Sequence, residues 1–140
     1  MSKEMREYRK MHRQHRKELI QLAKNDFEWD WEYLHNIVIT KIRHMYEYYS
    51  AGNNICQSEE SLNRVLYTLK HVLDLQDELD TLWEENNQCE ATRETINEYT
   101  HVVRISDEDA QKIREKHERE AEIYQEIYTH IGQNLLFWWD

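Results

Sequence analysis

Proline is absent and glycine nearly so: Gly52 and Gly132 are the only two in 140 residues. A sandwich or barrel needs a turn every ~8–12 residues, usually marked by one of those types, so all-β architectures are excluded. Glycine-rich phosphate loops are excluded as well, because no GxG or GxxxxGK occurs. The longest uninterrupted apolar candidate, Leu135–Trp139, is five residues, far short of the ~18–20 a membrane span needs. The opening MSKEMREYRK has no apolar core of the kind a secretory leader carries. Cysteine is confined to Cys56 and Cys89, with no CxxC spacing. On one continuous helix they would lie about 50 Å apart, whereas a bridge needs Cα atoms within about 7 Å. These absences predict a cytosolic protein with free thiols.

What remains is an all-α domain. Hydrophobic residues make up 39% and charged residues 33%, enough for one packed core with little apolar surface to spare. The net charge of −10 is unevenly spread. Residues 1–24 hold eight Lys/Arg against Glu4, Glu7 and Glu18, so the remainder is strongly acidic. The chain therefore divides into a basic N-terminal helix or arm (1–24) and a helical bundle domain (25–140). Such an arm can meet nucleic acid, or pair with the acidic body of its own or a neighbouring chain. An acidic body repels a duplex, so nucleic acid is expected only through the arm.

Helical periodicity runs through most of the chain. The first helix, 2–24, has Met5, Tyr8, His12, His15, Leu19 and Leu22 on its inner face, and its first half is expected to project or fray. A break follows across 25–30. The second helix places Trp31, Leu34, Val38, Ile42, Met45 and Tyr49 on one stripe and stops at the turn 50–54. Ser58 caps the third helix, whose apolar period lasts to about Glu85. Residues 90–104 are ambiguous by pattern: a short helix ending at His101-Val102-Val103, or irregular structure. Ser106 with Asp109 resembles a capping box opening the last helix, whose stripe runs from Ala110 through Leu135 to Trp138. Three long amphipathic helices plus shorter helical segments make a bundle.

Bundles raise the question of a di-metal carboxylate centre. Glu32/His35 and Glu98/His101 match ExxH, but no core stripe of the later helices contains the further inward Glu such a centre requires, so no metal or other cofactor is expected. Asp74, Asp77, Glu78 and Asp80 fall on several sides of one helix, which suits a solvated face better than a Mg²⁺ site. Neither cysteine has a positioned histidine, so no nucleophile is indicated and the protein is expected not to be an enzyme.

Aromatics are plentiful, with five Trp and nine Tyr. In the pairs Trp29/Trp31 and Trp138/Trp139 one ring can fill the core while its neighbour points elsewhere, to an interface or a bundle end. A homo-oligomer is therefore expected. If helices two and three are antiparallel about the turn, His44 lies level with Arg64, and Lys41 with Tyr67 and Thr68. Lys41, His44, Tyr48, Arg64, Tyr67 and His71 would then form a basic, aromatic patch for an anionic, base-bearing ligand, with Arg64 as its main anion contact. Ordinary salt bridges to Glu47, Glu60 or Asp74 would use the same residues.

Asp30-Trp31-Glu32-Tyr33-Leu34, Lys41-Ile42 with Met45 and Tyr48, and Asn63-Arg64 leading into Leu73-Asp74 form a pattern. Lys116, Ala121, Tyr124 and the terminal Trp138-Trp139-Asp140 continue it. This pattern resembles a group of small all-helical proteins encoded by tailed phages. The likeness covers about half the chain, without 1–24 or 86–105, and implies an accessory protein in the cytoplasm of an infected bacterial host. It supplies no catalytic residue. Two modes of action fit such a protein: sequestering a small nucleotide-like ligand as an oligomer, or docking the acidic bundle on a host defence or nucleic-acid-binding protein.

Overall fold

Three serines open three of the helices. Ser2, Ser58 and Ser106 each accept a hydrogen bond at Oγ from a backbone N–H three residues on, those of Met5, Ser61 and Asp109, at 3.1–3.2 Å. Each satisfies one of the amides that a helix start leaves without an intrahelical partner. The computed structural model describes residues 1–24, 31–52, 58–86, 92–97 and 100–139. The fold is an all-α helical bundle of α1 (Lys3–Lys24), α2 (Trp31–Ser50), α3 (Glu59–Asn86) and α4 (Asp107–Asn134). Four helices are long, and α1 follows the helix expected over residues 2–24 almost from its start. Gly52 ends the second: its φ of +78° suits glycine, and its N–H donates to the Tyr49 carbonyl.

The short segments differ from expectation. By pattern residues 90–104 are ambiguous between a short helix and irregular structure; instead β1 (Thr92–Asn97) and β2 (Thr100–Arg104) form an antiparallel hairpin with a register shift between Thr95 and Asn97. Thr92, Thr95, Ile96, Thr100, Val102 and Val103 are all β-branched, and such side chains lose χ1 freedom in a helix and fit a pleated ladder. The last helix was expected to carry its stripe through Leu135. Instead α4 stops at Asn134 and a 3-10 turn, Leu135–Trp139, follows. The tighter winding changes the phase: Trp138 is buried, while Leu135, Leu136 and Phe137 are exposed.

Packing divides the chain into unit 1 (Met1–Leu73 with Gln133–Asp140) and unit 2 (Asp74–Gly132). Within unit 1, the helix of the basic segment 1–24 lies against α2. The core of unit 1 includes Ile42, Tyr49, Val65, Leu69, Val72 and Trp138; that of unit 2 includes Leu75, Leu79, Ile123 and Ile127. The α2 stripe is rotated from expectation. Trp31 and Leu34 are both 63% exposed, whereas His35, Thr40 and His44 are buried. In unit 2 an Arg119 fork on both Glu78 oxygens, at 2.8 and 3.1 Å, ties α4 to α3.

The division also sorts charge. Unit 2 contains seventeen Asp/Glu against six Lys/Arg, and unit 1 eleven against twelve. The acidity of the chain therefore belongs to unit 2. Trp29, both cysteines and the side chain of Trp139 lie outside the described residues, as do the expected break at 25–30 and the turn positions 53–54. No described helix is long and apolar enough to cross a membrane.

Candidate functional site

Helices α1 and α2 meet along a polar seam. His15 and His44 stack face to face, with ring centroids 3.8 Å apart and planes 7° from parallel. A carboxylate lies at Nε2 of each ring: Glu47 on His15 at 2.6 Å and Glu18 on His44 at 2.8 Å. Arg43 joins the two acids, reaching Glu18 through Nη2 and Glu47 through Nη1. Each helix thus supplies a histidine to the other helix's carboxylate.

Electrostatics fix how the His44 pair is charged. Burial holds the His44 imidazole below its usual range, and the hydrogen bond to Glu18 only partly offsets that cost. The Glu18 carboxyl is held low, chiefly by the His44 hydrogen bond and then by Arg43, against some desolvation. Both shifts describe one state: a neutral imidazole donating its Nε2–H to an ionised carboxylate.

Beside this seam lies a groove of about 330 Å³. Met11, Leu19, Met45, Tyr49 and Trp138 give it an apolar base. Tyr49 and Trp138 are locked: the Tyr49 hydroxyl donates to the Trp138 carbonyl, and the Trp138 indole N–H donates to Thr68 Oγ1, both at 2.8 Å. Tyr8 and Tyr48 meet edge to face at 6.0 Å, and His12 stacks on Tyr8. Two cations, Arg16 and Lys41, complete the lining and form no ion pair among the described residues. Aromatic faces, an apolar base and two uncommitted cations can hold a flat, anionic molecule.

Of the six residues expected to bind ligand, Lys41, His44 and Tyr48 line this groove. Arg64, Tyr67 and His71 do not. Arg64 is exposed and lies over the Phe137 ring, 3.9 Å from its centroid, while Tyr67 is 74% exposed. The α2 half of the expected patch therefore pairs with α1 instead of α3. By pattern Tyr8, His12 and His15 belong to the inner face of the first helix and Glu47 is a salt-bridge partner of the patch, while Arg16, Glu18 and Arg43 stand in no site. The 3–4 spacing of Tyr8, His12, His15 and Leu19 was the available signal, since it placed two imidazoles on a face read as merely hydrophobic. Of the four tryptophans given interface or structural roles, Trp138 is buried and Trp31 exposed. No family model matches the chain, nor does any curated protein or solved structure.

Proposed function

We propose that this protein is a non-catalytic binder that sequesters a small nucleotide-like anion in the α1–α2 groove of unit 1. The observation that carries this reading is the convergence of Arg16 and Lys41 with Tyr8 and Tyr48 on one apolar-based groove. Its volume falls at the lower end of the ~300–1,000 Å³ range of small-molecule sites. Lys41 and Arg16 contact the phosphate, and a tyrosine ring stacks on the base. His44 already has Glu18 at Nε2, so it shapes the wall. The resemblance of Trp31-Glu32-Tyr33-Leu34, Lys41-Ile42 and Trp138-Trp139-Asp140 to tailed-phage accessory proteins supports a host-takeover or anti-defence role in the infected bacterial cytoplasm. The exposed Trp31 and Leu34 are the surface through which the proposed homo-oligomer forms.

A nucleotide held at a hundredfold excess over its Kd stabilises the native state by ~2.7 kcal/mol. We therefore expect at least one member of a mono-, di- and cyclic-nucleotide panel to raise the melting temperature. The double variant Arg16→Glu/Lys41→Glu should lose that rise, and Arg64→Glu, outside the groove, should keep it. No shift with any nucleotide at millimolar concentration would remove the proposal.

A second reading draws on the charge division. Unit 2, with seventeen acidic residues against six basic ones, docks on a basic host defence or nucleic-acid-binding protein. Capture of such a protein that is lost on neutralising unit 2 carboxylates and indifferent to Arg16→Glu/Lys41→Glu would favour this reading over the first.

A further inference from the structure

The outer face of α1 is a separate feature from the groove. At 100° per residue, Tyr8, Met11, His15, Glu18, Leu19 and Leu22 fall on one side of the helix, and all six are partly buried. Arg6, Arg9, Lys10, Arg13, Lys17 and Lys24 fall on the opposite side, and all six are exposed. The stripe is ~27 Å long at 1.5 Å per residue. None of the six has an ion-pair partner among the described residues. Arg6 and Arg13 each spend one donor on a main-chain carbonyl, those of Met1 and Arg9, and keep the rest of their forks free. Lys3 is the exception at the start of the helix, paired with Glu7 at 3.9 Å.

Such a row of cations is costly to assemble without an anion to meet it. A second copy of the chain is a poor occupant, despite its acidic unit 2. Exposed ion pairs contribute little each, and durable protein interfaces have an apolar centre depleted of charge. A membrane surface is also disfavoured, because the apolar side of this amphipathic helix is already turned to α2. Nucleic acid differs: every phosphate neutralised releases condensed counterions, so a row of exposed cations is itself sufficient for binding. The stripe has no aromatic ring on which unstacked bases could lie, the feature single-strand binders rely on.

We propose that the outer face of α1 binds the phosphate backbone of a nucleic-acid duplex, without sequence preference. The acidity that would repel a duplex is carried by unit 2, whereas unit 1, to which α1 belongs, has twelve Lys/Arg against eleven Asp/Glu. Six phosphate contacts give a slope of log K against log salt of about −5.

The test uses the full chain and a fluorescent 30-base-pair DNA of arbitrary sequence, followed by anisotropy. Affinity should fall on the order of a thousandfold between 50 and 200 mM salt. Arg6→Gln/Lys10→Gln/Arg13→Gln/Lys17→Gln should reduce the slope to about −2, with circular dichroism unchanged. Lys10→Arg/Lys17→Arg should retain the parent slope. No binding at 50 mM salt would overturn the proposal, as would an unchanged slope in the glutamine variant. Tighter binding of a thirty-residue oligo-dT, or equal competition by polyglutamate, would overturn it in favour of a single strand or an acidic protein. A dimer by light scattering that the glutamine variant abolishes would assign the stripe to a second copy and overturn it too. The nucleotide panel with Arg16→Glu/Lys41→Glu reads the groove separately, so either proposal can fail alone.

Discussion

Replacing Trp138 with alanine is expected to lower the melting temperature by roughly 10–20 °C. The ring is 2% exposed, and truncating a buried tryptophan typically costs ~3–5 kcal/mol in lost transfer energy and residual cavity. Two hydrogen bonds add to the packing. The indole N–H donates to Thr68 Oγ1, and the Tyr49 hydroxyl donates to the Trp138 carbonyl. Thr68 in turn donates to the main-chain carbonyl of Arg64 or Val65. One side chain thereby links the C-terminal 3-10 turn to α2 and α3 within unit 1. Trp138→Phe separates the contributions: it keeps most of the ring volume and loses one hydrogen bond, costing about 1 kcal/mol for that bond. A melting temperature unchanged in Trp138→Ala, by circular dichroism or calorimetry, would show that the turn is not a structural clasp.

Acid is expected to loosen the α1–α2 seam, beginning near pH 6.5. Burial holds the His44 imidazole below its ordinary range, so the unfolded chain takes up that proton before the folded chain does. Stability from this group is fully present above the ordinary pKa of ~6.5 and is lost as pH falls through the folded value. Glu18 acts in the same direction further down: its carboxyl is also held low, and its contribution falls below the ordinary carboxylate range. The groups facing His44 are Glu18 and His15 from α1 and Arg43 from its own helix, with Glu47 beyond His15. Arg43 and a charged His15 both resist a second positive charge there. Urea unfolding between pH 7 and 5 should show a falling midpoint, and His44→Gln, which keeps a donor but cannot titrate, should flatten the upper part of that fall. A midpoint constant across the interval in the parent protein would refute the assignment.

The helical class could be read directly from the sequence, because the absence of proline and the 3–4 spacing of apolar residues act together on every long segment. Helix starts at Ser58 and Ser106 were equally plain, since a hydroxyl before a charged first turn has one obvious use. Burial within α2 was harder to read. Apolar count favoured Trp31 and Leu34, yet His35, Thr40 and His44 are buried instead. Hydrophobicity cannot foresee that a neutral imidazole becomes a core residue once a carboxylate on another helix accepts its N–H hydrogen bond. The hairpin was missed for a related reason: alternation is weak in Thr92–Asn97, and only the density of β-branched residues signals a strand. The groove was half legible. Lys41, His44 and Tyr48 line it, but by pattern they group with Arg64 and Tyr67, because adjacency along the chain suggested α3 as their neighbour. Charge read as a net value over 1–24 likewise concealed that the two sides of α1 have opposite character.

Helix α1 has no buried residue. Every other long helix places at least two side chains in a core. Its hold on α2 consists of half-buried contacts and the histidine–carboxylate seam, so the free energy of lifting it lies at the low end of the range for this chain. Amide hydrogens of α1 should then exchange with solvent through brief detachment, orders of magnitude before those around Leu69 and Val72. The groove's α1 wall is consequently its less firmly held side. If the groove holds a ligand as proposed, detachment of α1 would remove one of its two walls at a stroke, and a partner gripping the outer face of α1 would slow that loss.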